Sequence, residues 1–228
     1  MTTERPDNWY AFHFGSRFVN SPEFEVASLH ANSREDCYVM MADLCSFSAF
    51  FKATEQEKVA ERMMTRFYSE TRKAIHNQHG MLDKIVGDAV IAVWGLHHRS
   101  ENMLGGTLIA AVELVAIARA ISEEWQAHVD EVIEPKGLKV GVSKGRIMMI
   151  PRDFAYPGLS LLGNPLNLAS RLQLAAQPNQ LVCSNQVYQD AQRCRLDYQF
   201  EPYQGAENEG QLGVRNTGTI KAWVTSLA

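Results

Sequence analysis

The sequence predicts a single α/β domain built on a mixed sheet, and three observations predict it. Short apolar runs that meet a charge or a glycine recur as candidate strands, "CYVMMADL" and "AVIAVWG" being the clearest. Longer segments with apolar residues at three- and four-residue spacing alternate with them as candidate helices. No internal repeat or low-complexity linker divides the 228 residues, enough chain for a substantial core.

Taken in order, residues 1–35 are mixed and polar, with Pro6, Gly15 and Pro22 breaking any period. They read as an extension, either packed on the domain or partly disordered, ahead of a domain over 36–228. The apolar run 37–42, ending on Asp43, predicts a central strand. "ATEQEKVAERMMTRFYSETRKAIHNQHG" predicts a helix, because Val59, Met63, Phe67 and Ala74/Ile75 share one face and Gly80 supplies a stop. Two short strands, 82–86 and 89–95, flank a turn at Gly87-Asp88, and a second long helix covers 101–128. "GLKVGVSKGRIMMI" gives a strand or a pair of strands ending at Pro151. "GNPLNLASRLQLAAQ" is a helix with Pro165 in its first turn, where a missing N–H does no harm. "QLVCS" is a strand, "NQVYQDAQ" a short helix, and the tail from 196 to 226 alternates as strands do.

Composition narrows the function. A net charge of -4 without lysine/arginine runs predicts no general attraction to nucleic acid or to an anionic membrane. A polyanionic ligand would need a local cation cluster or a metal. The N-terminus lacks the apolar core of a signal peptide. No uninterrupted run reaches the roughly 18 apolar residues of a membrane span, since "GTLIAAVELVAIARAI" is broken by Glu113 and Arg119 and reads as a buried helix. Cys37, Cys45, Cys183 and Cys194 show no CxxC spacing and read as free thiols, which places the protein in the cytoplasm.

Two predicted strands each deliver an aspartate near one end, Asp43 and Asp88. Singly, Asp43 could cap the following helix and Asp88 could shape a hairpin turn. If the strands are neighbours, the carboxylates converge and repel unless a proton or cation lies between them. Mg²⁺ or Mn²⁺, which take oxygen ligands and bridge phosphates, are the natural occupants. In "GNPLNLASRL", Asn167 and Arg171 are four apart and share one helix face, as either a solvated surface or an amide and guanidinium presented to a phosphoryl group.

Together "ADLCSFSAFF", "DKIVGDAVIAVWG" and "LLGNPLNLASRLQ" resemble the class III nucleotidyl cyclase catalytic domain, with the resemblance spanning residues 37 to 226. It implies a ferredoxin-like mixed sheet flanked by helices, and a head-to-tail homodimer with two active sites at its interface. It also implies that Asp43, Asp88 and the Leu44 carbonyl hold two Mg²⁺ or Mn²⁺ ions. Backbone amides of Cys45, Ser46 and Phe47 would face the triphosphate, at a helix start. The second subunit would supply Asn167 for the ribose and Arg171 for the transferring phosphoryl group. "LGVRNTGTIKAWV" resembles the strand whose basic residue binds the terminal phosphates, which singles out Arg215; an exposed strand cation is the alternative. Lys84 and Ser160 match the base-recognition positions.

The expected reaction converts a nucleoside triphosphate into a 3′,5′-cyclic nucleotide second messenger and pyrophosphate. Lys84 can donate to adenine N1 while Ser160 accepts from the exocyclic amine, which favours ATP. Uracil O4 and cytosine N3 are also acceptors. The chain shows no sensor or transmembrane segment, so it also resembles stand-alone uridylate or cytidylate cyclases of bacterial anti-phage systems. "VGVSKGRIMM" departs from the family in Ser143 and Lys144, and "GNP" replaces the usual Gly-Asp-Thr. A further alternative is an inactive cyclase-like dimerisation or nucleotide-sensing module. His97-His98 reads as a solvated loop pair, and the paired methionines as core fillers.

Overall fold

A computed structural model describes residues 7–21, 33–97, 101–151, 159–204, 210–214 and 218–227. Its elements are α1 (Asp7–Phe14), α2 (Ser16–Val19), β1 (Ser33–Leu44), α3 (Phe47–Ala53), α4 (Glu57–Asn77), β2 (Met81–Val86) and β3 (Ala89–Trp94). They continue as α5 (Met103–Gln126), β4 (Leu138–Pro151), β5 (Leu159–Leu162), α6 (Asn164–Ala175), β6 (Gln180–Ser184) and α7 (Asn185–Arg193). Three strands close the chain: β7 (Glu201–Pro202), β8 (Gln211–Val214) and β9 (Gly218–Ser226).

The sheet runs β2-β3-β1-β4-β6-β9-β7, with β5 paired to β4 and β8 to β9. It is a mixed sheet, antiparallel throughout except where β4 meets β6. β1 is central, as its apolar run predicts, and is covered on both faces. On one face Met40, Ala42 and Leu44 join Met63 and Phe67 of α4, Leu108 and Trp125 of α5, and Val187 of α7. On the other, Val39 and Met41 join Tyr10 and Phe14 of α1 and Ala169 of α6. The helix α5 is long and apolar enough to cross a membrane, yet Leu108, Leu114, Ile121 and Trp125 are fully buried in this core.

Two local details differ from the sequence reading. The helix predicted from Ala53 begins at Glu57 as α4, because Ala53 closes a separate short helix, α3, and Thr54 turns extended between them. The stop after α4 is shared by two residues. His79 takes the left-handed conformation at φ 57. Its N–H donates to His76 O and that of Gly80 to Ile75 O, the paired bonds of a Schellman ending. Gly80 is glycine for another reason: a Cβ there would lie 2.6 Å from the Trp94 ring.

Among its described residues the 1–35 segment contains the helices α1 and α2, packed on the sheet with Phe14 2% exposed. β1 starts at Ser33, earlier than the apolar run, and slips register against β4 between Arg34 and Cys37. Beyond that slip, the inward residues Ile147, Met149 and Leu161 join Tyr10 and Phe14. The alternate residues Met148, Ile150 and Leu162 are left 43%, 39% and 52% exposed.

Candidate functional site

The β1–β3 register places Asp43 opposite Ala89, the residue after Asp88. The hairpin before it is as tight as a hairpin can be: Val86 pairs with Ala89, and Gly87 turns at φ 62, where a side chain is strained. The Tyr68 hydroxyl of α4 donates to the Gly87 carbonyl at 2.8 Å and fixes the turn from outside. Two strand ends are thereby brought side by side, and the Asp43 and Asp88 carboxyl groups hydrogen-bond to each other.

Two carboxylates can approach like this only if they share a proton or a cation. Burial, then the neighbouring Asp43 charge, push Asp88 up to about 6. Burial raises Asp43 as well, opposed by the bond with Asp88 and by the Lys139 ammonium. Among the described residues no three His, Cys, Asp or Glu side chains gather as a metal cluster. A divalent cation here would therefore rest on two carboxylates, one backbone carbonyl and ligands brought by a substrate. That donor set suits Mg²⁺ or Mn²⁺, which keep positions open for phosphate oxygens. Leu44 fits the carbonyl role alone, because its side chain is 3% exposed in the core.

Lys139, which sequence reasoning missed, is paired with Asp43 across the β1–β4 ladder. Paired residues share a sheet face. This ammonium therefore stands beside the carboxylates, suited to an incoming polyanion. Its signal in "LKVGV" is only a strand alternation, and the register was needed to read it. The Cys45 amide corrects an expectation: it donates to the Gly137 carbonyl at 2.9 Å and is not offered to a ligand. Ser46 follows in the left-handed conformation at φ 57, and Phe47 begins α3.

Asn167 and Arg171 are exposed on α6, whose inner side meets β4 so closely that a Cβ on Gly141 would lie 2.2 Å from Ala169 O. Pro165 stands at the start of α6, as expected. Neither Asn167 nor Arg171 interacts with Asp43 or Asp88 within the chain, and neither has a hydrogen-bond or ion-pair partner among the described residues. Lys84 on β2 is 45% exposed and lies 3.2 Å from Asp83. Ser160 on β5 pairs with Ile150, on the outward side of the β4–β5 hairpin. Arg215 lies outside the described residues.

Residues 29–225 match the family described as the adenylate and guanylate cyclase catalytic domain. The chain belongs to this family, that of the class III nucleotidyl cyclases. The fold agrees with solved cyclase domains. The adenylyl cyclase CyaB from P. aeruginosa is 18% identical, with TM-score 0.68, over 85% of this chain and 95% of that one. The guanylate cyclase domain of RhGC from Catenaria anguillulae, solved with GTP, is 15% identical, with TM-score 0.70, over 86% and 98%. The uncharacterised protein Rv2212 of Mycobacterium tuberculosis is 29% identical over 151 residues, 66% of this chain and 33% of its own length. Rv1319c of the same organism is 24% identical over 184 residues, 80% and 32%. The chain thus spans about a third of the length of these curated relatives.

Departures from the cyclase pattern have structural partners. Lys144 donates to Asp190 of α7 at 2.7 Å and lies over the Tyr38 ring, whose hydroxyl also donates to Asp190 at 2.7 Å. Ser143 donates to the Pro165 carbonyl at 2.7 Å and anchors the start of α6. His97 is not a solvated loop residue: Phe14 and Phe18 hold its ring at 4.9 and 4.6 Å. His98 lies outside the described residues. All four cysteines are free.

Proposed function

We propose that this cyclase domain converts a nucleoside triphosphate, with ATP favoured, into a 3′,5′-cyclic nucleotide and pyrophosphate. The observation that carries the reading is the convergence of Asp43 and Asp88 from adjacent strands, with Lys139 beside them. A bound Mg²⁺ or Mn²⁺ at the carboxylates supplies a lowered pKa at the ribose 3′-hydroxyl and offsets charge on the phosphate oxygens. Asn167 orients the ribose, which holds nucleophile and α-phosphorus in line. Arg171 meets the charge that grows on the transferring phosphoryl group. Lys139 and the Ser46 and Phe47 amides hold the outer phosphates.

The working unit is a head-to-tail homodimer. Among the described residues Arg171 and Asn167 have no hydrogen-bond or ion-pair partner, and the β4–β5 hairpin turns Met148, Ile150 and Leu162 outward beside Ser160. Both features suit a second copy. Lys84 reads adenine N1, with the Ser160 hydroxyl on the exocyclic amine. An ammonium at Lys84 also suits uracil O4 or cytosine N3, so the product decides the base.

The test is to incubate the purified chain with each of four nucleoside triphosphates and Mn²⁺ and to resolve the products by chromatography. Cyclic AMP as the main product supports the proposal. Cyclic UMP or CMP keeps the chemistry and overturns the base. No turnover indicates a dimerisation or nucleotide-sensing module, and a linear nucleotide an unrelated phosphohydrolase.

A further inference from the structure

The strand β2 contains an irregularity with a consequence for Lys84. Leu82 pairs with Ala92, yet Lys84 pairs with Ile91, so Asp83 is an extra residue against β3. Leu82 and Ile85 both pack into the core under α4 and α5, together with their partners Ala92 and Val90. Three residues apart, they would face opposite sides of an uninterrupted strand. The bulge resets the alternation. Lys84 then shares the face of Ile91, which pairs with Met41, two residues before Asp43. Without it, the ammonium would be aimed with Leu82 into an apolar core, at a cost no strand tolerates unpaired.

The bulge is held from outside the sheet. His13, in the last turn of α1, lies with Nδ1 2.5 Å from the Leu82 carbonyl, the last backbone oxygen before the extra residue. A carbonyl only accepts, so Nδ1 carries the proton and donates. Burial holds the ring neutral by lowering its pKa. The backbone that carries the ring is held in turn: the His13 carbonyl accepts from His76 Nε2 of α4 at 3.1 Å, and Gly15 packs on the His76 ring, where a Cβ would lie 3.1 Å away. The other leg of the same hairpin is gripped too, by Phe14 and Phe18 on His97.

We propose that His13 is a positioning residue: through the Leu82 carbonyl it fixes the bulge at Asp83 that turns Lys84 onto the face of Asp43. The N-terminal helices thereby set how the base is read, without touching the substrate. The consequence for base choice rests on the reading of Lys84 given above; the bulge itself does not.

Three variants of the full chain test this. His13→Phe keeps the ring volume and removes the donor, His13→Asn keeps an N–H near the Nδ1 position, and Lys84→Ala serves as the reference. Hydrogen exchange of residues 81–86 reads the bulge, and kcat/KM for each of the four nucleoside triphosphates with Mn²⁺ reads base choice. Exchange should rise in His13→Phe and return in His13→Asn. Preference for the best substrate should fall about fivefold in His13→Phe, the order expected for one hydrogen bond, and recover in His13→Asn. Unchanged exchange in His13→Phe overturns the proposal. Raised exchange with base choice lost in Lys84→Ala but kept in His13→Phe overturns its functional half. Base choice unchanged in Lys84→Ala removes Lys84 from base recognition, while exchange still decides whether His13 holds the bulge.

Discussion

The converging pair Asp43 and Asp88 should cost the metal-free protein stability, and Asp88→Asn measures that cost. Asp88 is raised from 3.8 to about 6, first by burial and then by the Asp43 charge. A shift of that size corresponds to about 3 kcal/mol at 1.36 kcal/mol per unit. Asp88 is only half-buried, so solvent screening reduces the expected gain in Asp88→Asn to about 1–2 kcal/mol. For a domain of this length that is roughly 2–8 °C in Tm. The sign follows from linkage: a carboxyl raised in the folded state leaves stability intact at low pH and removes it as pH rises through the folded value. The gain should therefore be full at pH 8, shrink through the window from about 6 to 3.8, and vanish below it. Thermal unfolding in EDTA across this range is the assay, with cyclase activity measured alongside and expected to be lost. Asp43→Asn should gain in the same direction, and the double variant less than the sum of the two, because the repulsion that each single removes is shared while the burial cost of each carboxylate is its own. If Asp88→Asn proves equal to or less stable than the parent at pH 8, the carboxylate serves the hairpin turn rather than a strained pair.

Other expectations follow from neighbouring contacts. Mn²⁺ at a hundred times its Kd should raise stability by about 2.7 kcal/mol, and Asp43→Ala should abolish that rise in a thermal-shift titration. Lys139→Met should raise KM for the triphosphate about tenfold, as for one lost charge-assisted contact, without raising the Mn²⁺ needed for half-maximal rate. Asp190→Asn should destabilise by about 1–3 kcal/mol, since it strips the largely buried Lys144 of its buried counterion and leaves only the exposed Asp36 carboxylate at 3.3 Å. Burial alone would raise Asp190, but bonds from Lys144 and Tyr38 and the Lys144 and Arg193 charges hold it below 3.8. Its contribution is present above that value and lost as pH falls through the lower folded one, so urea unfolding of parent and variant should converge in strong acid.

The site was legible in sequence where chemistry is written into a short motif. Asp43 and Asp88 each follow or precede an apolar run, and Asn167 and Arg171 share a helical spacing, so their faces could be read without coordinates. Residues that matter through register were not legible. Lys139 is one strand cation among several until β4 is laid against β1. The Cys45 amide looks available in any linear reading, and only the approach of Gly137 commits it. His97 has polar neighbours in the chain and aromatic ones in space.

Periodicity by itself determined α4 to α7 and the strands β1 to β4 and β6, the central place of β1 and the buried character of α5. It did not determine α1–α3 or β5, because apolar spacing is a local property that shows only in longer elements. Tertiary structure alone decided that two carboxyl groups touch, that a bulge turns Lys84 to their face, and that the N-terminal helices grip the hairpin carrying it. Those facts depend on strand pairing, where one extra residue reverses every side chain beyond it, and no short window of sequence contains both strands.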